Sequence, residues 1–233
     1  MSFNAMIAKR GMRLGILYVV MSFFLAALGV VLSAVGSLVP GNLNPGGSPV
    51  DVTAYISLIP VPIVSIGGLI AATPVSLLFV HDKDNGTLEY LLSMGFDQRD
   101  VFRAYLAASL FLGLPPLVVG GVASGVVALL LGRGVELAAT LVVCSLALGA
   151  AVVGLVTVLM SAFSALQRQP MGMNQPLGIA IGAFILVGAL MAPLAAGSLA
   201  IVFELVISGI VAVVSLTLLA LTPKLIRREK MLP

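Results

Sequence analysis

An all-α polytopic membrane protein is the fold class this sequence predicts, on three observations. First, 60% of the 233 residues are hydrophobic and only 9% are charged, with a mean hydropathy of +1.19. A soluble domain has roughly 45–50% apolar and about 25% charged residues, so there is too little polar surface here to coat a globule. Second, the apolar residues form unbroken runs near the length of about 20 residues needed to cross roughly 30 Å of hydrocarbon. Unbroken runs, unlike alternating ones, exclude a closed barrel. Third, the cations collect in alternate connections between those runs. Soluble, disordered and fibrous classes are excluded. The single cysteine, Cys144, cannot form an internal disulfide or build a structural zinc site alone.

The first run, 14–39, holds 26 residues without a charge, well beyond the apolar core of about 7–15 residues in a cleavable signal peptide. Pro40-Gly41-Asn42 and the stretch to Pro49 then read as loop. In the second run Pro60 and Pro62 mark a break, leaving 61–80 as the spanning part. A charged stretch from His81 to Arg103 follows, and further spans are expected at 104–131, 137–159, 177–191 and 199–221. The whole chain, 1–233, reads as one transmembrane domain of six helices.

Lys and Arg favour the cytoplasmic side of short loops. An inside N-terminus places 11 of the 12 basic residues in the cytoplasm and leaves only Arg133 outside. The expected topology is N-in and C-in at the plasma membrane. The basic balance then faces anionic lipid headgroups, not nucleic acid. Residues 2–13 have two readings. They are a short interfacial helix, with Phe3, Met6 and Ile7 opposing Lys9, Arg10 and Arg13, or a frayed basic end that only sets topology.

The connection between spans 2 and 3 has ordered local chemistry. Asn85-Gly86 is a turn dipeptide, Thr87 can cap a helix, and Glu89 sits where the dipole favours an anion. Leu88, Leu91 and Leu92 form an apolar stripe, Gly95 stops the helix, and Asp97 can cap the next one. This predicts a short helix at about 87–94 between two membrane helices. So short a helix is unstable alone, so its leucines need cover. The cover is the bilayer interface, the protein's own helix ends, or a groove on a soluble partner.

The segment from His81 to Arg103 resembles the corresponding loop of the ABC-2-type transporter permeases. Asp82-Lys83-Asp84 stands for that family's charged run, while Gly86-Thr87-Leu88-Glu89 and Leu91-Leu92-Ser93 match its core. Asp97, Arg99 and Asp100 fill the polar positions that open the next helix. Two departures stand out: Asp84-Asn85 precedes the glycine where an acidic Glu is usual, and Gly95 takes a position often held by proline. The resemblance implies a permease subunit of an ABC exporter, paired with a second permease copy or paralogue. In it the loop helix would be the coupling helix, with Gly86, Thr87, Leu88, Glu89, Leu91 and Leu92 contacting a separate ATPase subunit. ATP and Mg would bind that partner, since this chain has no G-x-x-x-x-G-K-[ST] phosphate loop and no cofactor of its own.

Glu204 is the one acidic or basic residue well inside an expected span, about five residues or roughly 7–8 Å from its outer end. It is a candidate for the pathway or gate, or else a snorkelling interfacial residue. His81 has no metal-ligating companion, and Asp82 and Asp84 read as solvated loop charge. Gly121 with Gly125 and Gly178 with Gly182 have helix-packing spacing, and Pro74 and Pro115-Pro116 imply kinks. The spans are lined by Ser and Thr at most, for example Ser65, Thr73, Ser109, Ser145 and Thr157, which suits an uncharged or amphiphilic cargo. No span carries a catalytic pair, so an enzyme is not expected. The rivals to an exporter are a passive or ion-coupled transporter and a membrane scaffold that docks a non-ATPase protein.

Overall fold

The computed structural model of the chain describes residues 3–38, 60–132 and 134–166, with short helical stretches between 206 and 221. The described residues form helices and turns and contain no strand. Helices α1 (Phe3–Leu14), α2 (Ile16–Leu38), α3 (Pro60–Asp84), α4 (Thr87–Ser93), α5 (Gln98–Leu130) and α6 (Val135–Leu166) follow in chain order. Three helices, α3, α5 and the Val135–Ala162 part of α6, are long and apolar enough to cross a membrane. The bent pair Met6–Leu14 and Ile16–Leu32 makes a fourth candidate. Helices α3, α5 and α6 fall on the expected runs at 61–80, 104–131 and 137–159, and the bent pair overlaps the one at 14–39. The run at 177–191 lies outside the described residues, and that at 199–221 lies only partly within them.

Helix α3 is the centre of the bundle and packs against α2, α5 and α6. Within its apolar window 78% of residues are buried, against 44% in α5, which keeps one side for lipid. Helices α5 and α6 form an antiparallel hairpin closed by a turn containing Gly132 and Gly134. In lipid the hydrophobic effect does not draw helices together, so close backbone approach and dispersion must. The fully buried Leu117 of α5 meets that need as a knob between Gly68 of α3 and Gly149 of α6. A methyl group on Gly68 would lie 2.6 Å from Leu117 Cδ2, and one on Gly149 would collide with the same side chain. The Gly121 and Gly125 pair faces α6 in the same way, against Ser145 and Ala138. Leu141, Cys144, Leu148 and Val152 of α6 build a second core, onto which Ile207 from the last described stretch docks.

One element end differs from expectation: helix α3 does not stop at Val80 but continues through His81 to Asp84. Helix α5 opens at Gln98 directly after Asp97, where the sequence places its cap, and runs through Arg99 and Arg103 into the span. Charges inside these terminal turns resemble a loop by composition, while the backbone stays helical because every third or fourth residue still meets the core. Val75, Leu78, Phe79 and Asp82 are that face in α3, and Val101, Phe102 and Tyr105 are its counterpart in α5. The prolines Pro74, Pro115 and Pro116 lie inside continuous helices.

The N-terminal segment is helical, and α1 meets α2 at an angle of 81°. Gly15 is the hinge residue between them. It packs directly on Pro74 of α3, where any side chain would collide with the pyrrolidine ring. Met6 and Ile7 do not share a face: Ile7 is buried in the core and Met6 is exposed. At 3.6 residues per turn, neighbours lie 100° apart, which separates them.

Candidate functional site

The connection between α3 and α5 is built by two glycines in the left-handed region. Gly86 has φ +71° and Gly95 φ +90°, conformations that cost L-residues about 1–2 kcal/mol. A methyl group at either would meet no atom within 4 Å, so backbone conformation alone calls for glycine. The Asn85 amide donates to the His81 carbonyl at 3.0 Å and the Gly86 amide to that of Lys83 at 3.0 Å, closing the end of α3. Gly86 occupies the N-cap of α4, and no side chain caps the helix. Thr87 is therefore its first residue and not the cap expected from the sequence. At the far end the Gly95 amide donates to Leu92 at 3.2 Å and the Phe96 amide to Leu91 at 3.3 Å, the paired bonds of a Schellman stop. Asp97 is the N-cap of α5 through its backbone carbonyl, without a side-chain bond.

This frame fixes the roll of α4. Leu88 is 1% exposed and Leu92 4%, and Leu91 packs against the same cluster at its edge. Their cover is Ile7 and Ala8 of α1, Val75, Leu78 and Phe79 of α3, and Val101, Phe102 and Tyr105 of α5. The Phe79 ring meets those of Phe102 and Tyr105 edge-on, at centroid distances of 5.5 and 5.1 Å. Of the three covers open to the leucine stripe, the protein's own helix ends supply it. The outward face is instead Glu89, Tyr90 at 63% exposure, Ser93 and Met94 at 60%. Gly86 and Thr87 are half-buried at the turn.

Beside α4 lies a polar node that composition does not suggest. Asp82, 1% exposed, accepts from Arg10 Nη2 at 2.8 Å and Nη1 at 3.2 Å, and Tyr105 Oη donates to its Oδ2. Three elements distant in sequence, α1, α3 and α5, meet at one carboxylate. A buried charge is tolerated only when its lone pairs are satisfied, which a two-pronged guanidinium and a phenol accomplish here. Asp82 thus is not the solvated loop charge its neighbours suggested, whereas Asp84 is exposed. The signal was its spacing of three, four and seven from Phe79, Leu78 and Val75, hidden by ending the helix at Val80. Lys83 is also buried, in the last turn beyond the apolar stretch 61–80. His81 is exposed, with its Nε2 2.8 Å from Asn85 Nδ2.

The span hydroxyls of Ser65, Thr73, Ser109, Ser145 and Thr157 are buried. Ser65, Thr73 and Thr157 donate to carbonyls one turn earlier at 2.7, 2.9 and 2.8 Å, and Ser76 reaches Thr157 at 3.5 Å. Ser109 and Ser145 have no hydrogen-bond partner. Glu204, the candidate gate residue, lies outside the described residues. Among the described residues no three His, Cys, Asp or Glu side chains gather as a metal site would require. Comparison of the chain with protein-family models, curated proteins and solved structures finds no match.

Proposed function

We propose that the chain is the membrane-spanning permease subunit of an ATP-driven exporter. Two copies, or a copy and a paralogue, would enclose the pathway, both termini would face the cytoplasm, and separate ATPase subunits carrying ATP and Mg would dock beneath. The observation that carries this reading is α4 itself. It is a seven-residue helix stopped at both ends by left-handed glycines, held between two long apolar helices, and buried along its leucine face. A rod so held can pass a push from a partner to α3 and α5, where a floppy loop would absorb it. Driving a two-state equilibrium from 1:99 to 99:1 takes about 5.5 kcal/mol of differential binding, which only a stiff link can deliver.

The burial of Leu88 and Leu92 moves the proposed docking surface from the leucine stripe to Glu89, Tyr90 and Met94, with Gly86 and Thr87 setting the turn. The test is pull-down of the native complex and identification of the co-purifying subunits, followed by co-expression and transport assays with any ATPase so found. Combined Tyr90→Ala and Met94→Ala should abolish co-purification while helix content and thermal unfolding stay unchanged. Intact assembly of that variant, together with unimpaired transport, would overturn the reading.

A further inference from the structure

The outward face of α1 has a composition that its fold does not use. The helix carries no acidic residue. Ile7, Ala8 and Gly11 face the protein. On the opposite side Lys9 and Arg13, one turn apart, are exposed between the exposed Met12 and Met6. Neither cation pairs with an acid among the described residues. The third cation of the helix, Arg10, is turned inward onto Asp82. Helices α1 and α2 pass the length and hydropathy test for a crossing only as a pair, bent by 81° at Gly15, a geometry that lets α1 lie along the surface while α2 enters the membrane.

We propose that this face binds anionic phospholipid headgroups, and that the Arg10–Asp82–Tyr105 node sets the roll of α1 that presents it. Lys9 and Arg13 meet headgroup phosphates while Met6 and Met12 reach toward the acyl boundary, as in-plane amphipathic helices do. Each basic residue near an anionic surface adds favourable attraction, and two on one turn act on the same small group of lipids. Asp82 takes the place of a headgroup for the remaining cation. By holding Arg10 inward, it prevents a rotation that would bury Lys9 or expose Ile7. The inference rests on the membrane location of the helices and is independent of the exporter reading.

The chain has no tryptophan, so a single one is an unambiguous reporter. Met12→Trp places it on the outward face of α1, and Phe111→Trp places a control on the exposed face of α5. Each full-length variant is reconstituted in nanodiscs of phosphatidylcholine and phosphatidylglycerol, one lipid brominated at a time, and quenching gives the relative occupancy. At Met12→Trp phosphatidylglycerol should be preferred by at least about threefold, with no preference at Phe111→Trp. Adding Lys9→Gln and Arg13→Gln should bring the preference at Met12→Trp close to one. Asp82→Asn should lower it with both cations still present, and Arg10→Lys, which keeps the charge but loses the two-pronged bond, serves if Asp82→Asn does not fold. Equal preference at the two tryptophans, or a preference that survives loss of Lys9 and Arg13, would overturn the lipid site. A preference unmoved by the node variants would overturn the role of the node.

Discussion

Leu88→Ala separates an inward leucine stripe from an outward one. Leu88 is 1% exposed and is enclosed by residues of α1, α3 and α5, so truncation removes packed methyl groups at a site with walls on several sides. Helix α4 cannot slide inward to close the void, because Gly86 and Gly95 hold both its ends in left-handed turns. Buried Leu→Ala changes cost about 2–5 kcal/mol, and a site that cannot collapse belongs near the middle, about 3 kcal/mol. If α4 opens as a local unit, the loss appears as faster amide exchange at Leu91 and Leu92, by about 150-fold at 1.36 kcal/mol per factor of ten. Tyr90→Ala, on the exposed face, should change the same exchange by no more than about twofold, within the usual ±0.5 kcal/mol of surface substitutions. Hydrogen–deuterium exchange of the two variants in identical detergent gives both numbers. Unchanged protection in Leu88→Ala together with a large loss in Tyr90→Ala would reverse the assigned roll of α4 and the docking face that depends on it.

Two further substitutions test the packing and the polar node. Gly149→Ala drives a methyl group into Leu117 and should destabilise the bundle by about 1–3 kcal/mol, and should cost much less than that in a Leu117→Ala background, where the space is already open. Additive losses in a thermal-unfolding cycle would mean the two residues do not share one space. Arg10→Ala should lower the unfolding temperature more than Asp82→Asn does. The first strands a carboxylate that is 1% exposed, while the second leaves a guanidinium that is 42% exposed and can turn to water. Equal shifts would show that Asp82 is not enclosed as described.

Much of the loop was legible residue by residue. Asn85-Gly86 and Gly95 mark the ends of α4 because few sequences other than glycine accept positive φ, and both positions have it. The leucine spacing correctly implied one apolar face. What covers that face was not legible, since periodicity reports which residues lie together and not what they lie against. The supposed cap at Thr87 failed for a local reason: once Gly86 supplies the turn, its own backbone takes the cap position. The end of α3 was misplaced because charge in a terminal turn imitates a loop, although one buried acid with two partners costs the helix little, whereas Asp97 correctly marked the start of α5.

Composition and the placement of cations by themselves determined that the chain belongs in a membrane, because the transfer of charge and of backbone polar groups into hydrocarbon is too costly for any other pattern. The tertiary structure alone decided three things: that Asp82 pairs with Arg10, 72 residues away, that Gly15 turns α1 across α3, and that Leu117 lodges between two glycines. Each depends on helices far apart in the chain arriving at the same depth and angle. No local propensity encodes such a meeting, which follows from the way whole helices settle their shapes against one another.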